Sequence, residues 1–576
     1  MRIGLVTEGG YPYVSGDAGL WCERLVRGLE RHEFDLYALS RSRQQEDEGW
    51  APLPPQVSRV RTASLWAEED DGTAYGRRAR RRFAECFGEL ASALVAASVG
   101  DLREPGRAAG TGGAGTEADR FSSALYGLAE LARDEGGLAG ALRSESAVRA
   151  LERACRAPGA PRAAREARVP DLLAVAAHLR QALGPLSLDW YEDDGLGAAD
   201  LCHATAGGTA ALSGLLARHF AGVPLLVTEY GVHLRAHYLA VDADGTAPPV
   251  RALLAAFHGS LAAEVYRRAA VVTHGNAHAR RWQERCGADR ATLRTVHPGM
   301  DAAPFAEAGE SPEAADPDTL VWVGRVGPAK DLVSLLHAFA EVRKQEPKAR
   351  LRIVSAGTGS DGAAYLGHCR ALAAQLFPDE AEGPHTVGDN PVSFEEIGGP
   401  EVPTLADAYA SGAVVVLSSV VEGFPLGLIE AMLCGRATVS TDVGAVVEVV
   451  GGTGVVVPPR NPRALAEVCV NLLRDPERRA RLGAAARARA LELFTVEQNI
   501  AAFHGIYLEV VSHCPVQRVV LDETGEPLPF AAPAEAHVPG RWTRSVDHAA
   551  ARSRPSWATG SPTGCAAPTT TTEASR

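Results

Sequence analysis

Two glutamates, Glu422 and Glu430, stand eight positions apart in the stretch Ser418 to Asp442, SSVVEGFPLGLIEAMLCGRATVSTD. The apolar run AVVVL at 413–417 reads as a buried parallel strand, and a helix is predicted from about Pro425 to Cys434. Pro425 suits the first helical position, where its missing N–H would be unpaired anyway, and Gly435 suits the stop. Between the carboxylates lies the turn Gly423, Phe424, Pro425, Leu426, Gly427. Its glycines let backbone approach a ligand closely, and the free N–H groups at a helix start favour an anion such as a diphosphate. A carboxylate beside such an anion is unfavourable unless it faces something else, and sugar hydroxyls are the natural choice. This chemistry fits a nucleotide sugar, with one glutamate on the hexose and the other on the ribose. Taken as a spacing alone, the pair is as readily an ordinary βαβ unit with solvated glutamates.

A second loop could supply the opposing charge. The strand Leu320 to Gly324 runs into GRVGPAKD, so Arg325 and Lys330 flank the turn before the next helix. Cations are disfavoured at a helix start, which makes two of them there informative. A diphosphate leaving group requires such a pair, because its charge grows as the glycosidic bond breaks. Of 58 basic residues, all but Lys330, Lys344 and Lys348 are arginine, which marks Lys330 as a weakly supported special choice. A third loop, GTGSDG after the strand Leu351 to Ala356, contains Gly357 and Gly359 and matches a dinucleotide fingerprint. It keeps an NAD-dependent oxidoreductase open as an alternative.

The phrase EGFPLGLIEAMLCGRATVSTDVG closely resembles the signature of the family-4 retaining glycosyltransferases. That resemblance implies an α/β chain of GT-B fold, two Rossmann-like domains facing a cleft. It implies Glu422, Arg325 and Lys330 as the catalytic set and Glu430 as the ribose ligand. Gly324, Gly357, Gly359 and the turn 423–427 would line the donor. The opening EGGYPYVSGDAGLW resembles the PelF-like subgroup, in which a Gly-Gly pair approaches the donor; Gly16 matches and Asp17 replaces the second glycine. DLCHATAGG and TEYGVHLRAHYL resemble further subgroup phrases. His203 and Arg235 match there, Tyr230 replaces a histidine, and His233 follows three residues later, so these four are candidate sugar or acceptor contacts. The implied reaction moves a hexose, with UDP-glucose as the expected donor, to a saccharide or a small acceptor such as inositol phosphate, without a metal cofactor. A non-catalytic nucleotide- or saccharide-binding subunit of a polysaccharide-synthesis complex is the other alternative, motivated by Asp17 and Tyr230.

The chain must hold these loops in place. Its 576 residues, 46% hydrophobic, suffice for two or three domains. The expected division is a first Rossmann-like domain at 1–300 and a nucleotide-sugar-binding one at 301–485. Helices at 486–514 cross back to the first domain, and a disordered tail fills 515–576. Residues 64–185 interrupt the first domain with Ala-, Arg- and Leu-rich helical periodicity around a Gly-rich stretch at 106–115. That insertion is expected to pack on the first domain, with a partner protein or acceptor as the sharper alternative. Acidic, Pro-rich residues 307–318 read as a linker. The net charge of −13 gives no footprint for nucleic acid and allows at most peripheral membrane contact. No run reaches membrane-spanning length, and ten scattered cysteines fit a reducing cytoplasm. The D-x-D spacings at Asp242 and Asp316 read as solvated turns rather than metal ligands.

Overall fold

The computed structural model describes residues 1–13, 16–67, 71–98, 114–243, 246–311, 315–358, 360–378 and 390–516. Two parallel sheets organise them. The first contains β1 (Arg2–Glu8), β2 (Glu33–Ser40), β3 (Val57–Ser64), β4 (Leu201–Ala204), β5 (Leu225–Glu229), β6 (Val271–His274) and β7 (Leu293–Thr295), in the order β3-β2-β1-β4-β5-β6-β7. The second contains β8 (Asp316–Val326), β9 (Arg350–Thr358), β10 (Val392–Glu396), β11 (Gly412–Leu417), β12 (Ala437–Thr441) and β13 (Val455–Val457), in the order β10-β9-β8-β11-β12-β13. Each sheet reverses its winding beside its first strand, between β1 and β4 and again between β8 and β11. At such a reversal the loops leaving the two central strands part and open a crevice at the carboxyl edge.

Strands buried on both faces explain the unbroken apolar runs. Ile3 and Leu5 pack under Trp21 and Leu25 of the helix Gly16–Gly28 and under Phe503 and Tyr507 of the helix Val496–His513. Val6, Tyr37 and Leu39 face the other way, into one core shared with the helices Arg77–Ala97, Ala114–Glu135, Thr209–Ala221 and Pro248–Arg268. The expected insertion is therefore a structural layer of the first sheet, continuous with its core. Among the described residues, no helix is long and apolar enough to cross a membrane.

Several boundaries differ from expectation. The first helix runs from Gly16 to Gly28. The expected linker contains the helix Ala306–Glu310, and β8 already starts at Asp316. Asp316 accepts from the Thr319 hydroxyl at 2.7 Å and the Asp318 amide at 3.1 Å, which fixes this D-x-D at a strand start rather than in a solvated turn. Asp242 likewise falls in a helix, His233–Ala243. Gly359, most of the Gly-rich stretch and the tail beyond residue 516 lie outside the described residues.

The halves are joined where two chain segments cross side by side. Met300 N–H donates to Phe494 O at 2.8 Å, and Val496 N–H donates to Met300 O at 3.1 Å. Asn499, buried in the last helix, accepts from Trp21 Nε1 at 3.1 Å and donates to the Tyr230 hydroxyl at 2.9 Å and to His297 O at 2.7 Å. A further link sets the orientation of the sheets. Ala277, in the helix after β6, donates its amide to Glu448 in the helix after β12, at 2.6 Å. The carboxyl edges of the two sheets thus face each other.

Candidate active site

The loop after β8 and the loop after β11 leave the switch point of the second sheet and close on each other. Val420 N–H donates to Ala329 O at 2.8 Å, and the Ser418 hydroxyl donates to Lys330 O at 2.7 Å. This docking brings Lys330 Nζ to 2.5 Å from Glu422 Oε2, with the side chains 26% and 14% exposed. Ser419, fully buried, donates its hydroxyl to the same carboxylate oxygen at 3.1 Å. Thr441, at the end of β12, holds the loop by donating to Ser419 O at 2.6 Å. Gly444 is required by this geometry: with φ at +55°, a Cβ there would lie 2.2 Å from Glu422 O. The motif contained Gly444, but only the folded loop shows why it must be glycine.

Arg325 lies on β8 as an exposed side chain without a hydrogen bond or ion pair among the described residues. An ammonium shared with one carboxylate oxygen thus lies at the switch point, and an exposed guanidinium stands near the carboxyl end of β8. Gly324 precedes Arg325, half-buried, and Gly357, the last but one residue of β9, adopts φ +104°, a conformation that favours glycine. The helix after the turn is Leu426–Leu433, with Pro425 as the residue before it rather than its first member. The Leu426 amide is spent on Phe424 O at 3.0 Å, whereas the Gly427 amide makes no hydrogen bond among the described residues. Of the two amides at this helix start, the turn thus leaves only that of Gly427 without a partner among the described residues.

Glu430 is half-buried and accepts from the Tyr409 hydroxyl at 2.7 Å. Burial, and then the Glu430 carboxylate, raise the Tyr409 phenol well above its ordinary pKa. It stays a neutral donor and fixes the carboxylate. Phe424 differs from expectation: its ring stacks on His297, centroids 6.0 Å apart at 20°, and meets Phe494 edge-on. Aromatic packing of that loop against the crossing segments, rather than donor contact, occupies this side chain.

The first-half candidates separate into two groups. His203 is not available to a ligand. It is fully buried, with Nε2 at 2.7 Å from Thr228 Oγ1 and Nδ1 at 2.8 Å from the Tyr507 hydroxyl, so both ring nitrogens are used inside the core. Burial lowers its pKa to about 3. The Tyr230 hydroxyl is taken by Asn499, and burial raises its pKa, so this tyrosine anchors the last helix instead of contacting a sugar. His233 and Arg235 belong to the helix after β5, at the carboxyl edge. The His233 ring packs on the turn after β4, where a Cβ on Gly208 (φ +70°) would lie 2.7 Å from it. Arg235 is half-buried and unpaired among the described residues. Gly16 is the first residue of its helix, and the side chain of Asp17 lies outside the described ones.

Sequence reasoning missed Asn499, Ser419 and the Ala277–Glu448 link. A polar residue inside the apolar face of the last helix was the available signal for Asn499. Nothing local in the sequence signalled the other two.

Residues 1–291 match the family described as "Domain of unknown function (DUF3492)", and residues 317–475 match "Glycosyl transferases group 1". A D-inositol 3-phosphate glycosyltransferase of Streptomyces bingchenggensis is 32% identical over 237 residues, covering 39% of this chain and 49% of the relative. One of Kribbella flavida is 29% identical over 304 residues, covering 50% and 68%. The chain spans about half the length of the first curated relatives it matches. Among solved structures, Anabaena HepE in complex with UDP superposes with a TM-score of 0.50 at 14% identity, covering 88% of this chain and 99% of that one. The two parallel sheets with facing carboxyl edges, the half-chain match and this likeness agree: the chain is a DUF3492 family member of GT-B fold whose second half is a group 1 glycosyltransferase domain.

Proposed function

We propose that the protein is a retaining glycosyltransferase that moves a hexose from a nucleotide-diphosphate sugar, UDP-glucose first among candidates, to a saccharide or small hydroxylated acceptor. The observation that carries this reading is the meeting of Lys330 and Glu422 at 2.5 Å at the switch point of the second sheet, with Arg325, unpaired among the described residues, near the end of β8. The UDP complex of HepE and the inositol-phosphate relatives support it.

In this reading Arg325, Lys330 and the Gly427 amide take the diphosphate, and their charge stabilises the leaving group as the anomeric bond breaks. Glu422 loses part of its hold on Lys330 and turns to the hexose, supporting the developing oxocarbenium ion. Glu430, fixed by Tyr409, takes the ribose hydroxyls. Attack by the acceptor on the face the leaving group vacates gives retention without a covalent enzyme intermediate. Arg325 and Lys330 carry the neutralising charge, so the reaction is proposed to need no metal.

The test is release of UDP from UDP-glucose by the purified protein, with other nucleotide sugars in parallel and the product anomer read by NMR. Turnover should survive EDTA and vanish in Glu422→Ala. Tight UDP binding with no turnover on any donor would instead favour a non-catalytic subunit.

A further inference from the structure

The outer half of the first sheet carries a groove that the donor chemistry does not use. It is a cavity of about 470 Å³ lined by Tyr13, Glu46, Gly49, Trp50 and Thr62. Trp50 is 49% exposed, and Trp66, which reaches the lining through its bond to Glu46, is 39% exposed; among the described residues they are the exposed large hydrophobic aromatics. Large indole faces left in water mark binding surfaces more often than scattered aliphatic residues do.

The groove is built. Tyr13, itself buried, forms an antiparallel bridge with Trp50, and Ala51 N–H donates to Pro12 O at 3.0 Å, so the loop after β1 is tied to the segment holding the indole. Glu46 lies in the short helix after β2 and accepts from Trp66 Nε1 at 3.3 Å and from the Ser40 hydroxyl. Gly49 adopts φ +74° with open space around it, which leaves the groove unobstructed beside Trp50. Glu46 is the one charged residue of the lining.

Position and chemistry then restrict the occupant. Tyr13 follows β1, Glu46 follows β2, Thr62 lies near the end of β3 and Trp66 just beyond it, all at the carboxyl edge of the first sheet. A flat indole covers the C–H face of a pyranose, while a carboxylate bonds its hydroxyls; a lone carboxylate disfavours a phosphorylated or acidic ligand. We infer that this groove is an extended subsite for a neutral oligosaccharide acceptor, stacked on Trp50 and Trp66 and hydrogen-bonded to Glu46. The inference rests on the transferase reading and names its acceptor class.

Calorimetric titration of the full chain with cellohexaose, maltohexaose and an isomaltooligosaccharide tests it, with UDP titrated into every variant. Saturable binding of at least one glycan is expected. It should weaken at least tenfold in Trp50→Ala and in Thr62→Arg, which fills the groove without removing an aromatic, while UDP affinity stays within twofold of the parent. No saturable heat with any of the three glycans overturns the inference, as does glycan binding that both variants leave unchanged. Attachment to phosphatidylglycerol vesicles that Trp50→Ala abolishes, with no glycan bound, overturns it by assigning the tryptophans to a lipid surface. A parent protein that binds glycan but not UDP leaves the groove standing and removes the donor reading instead.

Discussion

Glu422→Gln should separate nucleotide affinity from turnover, and in opposite directions. In the free protein the Glu422 carboxylate occupies Lys330 at 2.5 Å, and neither side chain is more than 26% exposed. A diphosphate must therefore compete for that ammonium. Two unit charges about 4 Å apart attract by roughly 4 kcal/mol at an effective dielectric of about 20, and desolvation and ordering leave a net of about 1–2 kcal/mol. Removing the charge of Glu422 while keeping its shape should release that competition and tighten UDP binding by roughly five- to 30-fold. Lys330→Ala removes a charge-assisted hydrogen bond to the diphosphate, worth about 1.5–3 kcal/mol, and should weaken UDP by roughly 10- to 150-fold. Hydrolysis of UDP-glucose should fall by orders of magnitude in both.

Calorimetry with UDP at low salt and at about 0.3 M salt supplies the affinities, because screening should shrink the Lys330 effect. The double variant closes a thermodynamic cycle: with Lys330 absent, the gain from Glu422→Gln should disappear. The reasoning is refuted if Glu422→Gln weakens UDP as much as Lys330→Ala does, or if a folded Lys330→Ala binds UDP within twofold of the parent. Either result would make the ion pair a structural clasp between two loops.

Arg325→Ala should leave the melting temperature unchanged, since the side chain is exposed and unpaired among the described residues, yet weaken UDP by roughly tenfold with a visible salt dependence. Tyr409→Phe removes the 2.7 Å bond to Glu430; a urea midpoint shift equivalent to about 1–2 kcal/mol is expected, together with a several-fold rise in donor KM that Glu422 variants do not show. Asn499→Ala deletes bonds to Trp21, Tyr230 and His297 at once and should cost about 2–4 kcal/mol, read by chemical denaturation. His203 has a folded pKa of about 3 against an ordinary 6.5, so below pH 6.5 the unfolded chain takes up the proton that the folded chain refuses. Its contribution is complete above pH 6.5 and declines as pH falls, by up to about 1.4 kcal/mol per pH unit. Urea midpoints between pH 7.5 and 5 should fall accordingly, and His203→Gln should flatten that slope.

Most of the architecture was legible because buried parallel strands write themselves as apolar runs: AVVVL became all but the first residue of β11. The motif loops were legible because glycine, proline and paired charges have few uses in a βαβ turn. What failed were single side chains judged by their place in a phrase. His203 and Tyr230 occupy the matching positions, but one is sealed between Thr228 and Tyr507 and the other bonds Asn499, partners 25 to 304 residues away. Such choices depend on the last helix, whose docking cannot be read locally. Phe424 failed for the same reason, since His297 and Phe494 reach it from other segments.

That last case bears on how the site is held. Glu422 and Phe424 share one loop, whose carboxylate is tied to Lys330 and whose ring lies on His297. His297 in turn donates its Nδ1–H to Gly275 O at 2.8 Å, and its own carbonyl accepts from Asn499. The loop that bears the central carboxylate is therefore in contact with both crossing segments, at residues 297–300 and 494–499. Gly299 marks how tight that crossing is: a Cβ there would lie 2.8 Å from Val496 Cα. A change in the angle between the sheets must pass through this packed crossing, and the loop carrying Glu422 is the part of the second half that leans on it. The position of Glu422 is for that reason a property of both halves together, although Glu422, Lys330 and Arg325 all come from the second.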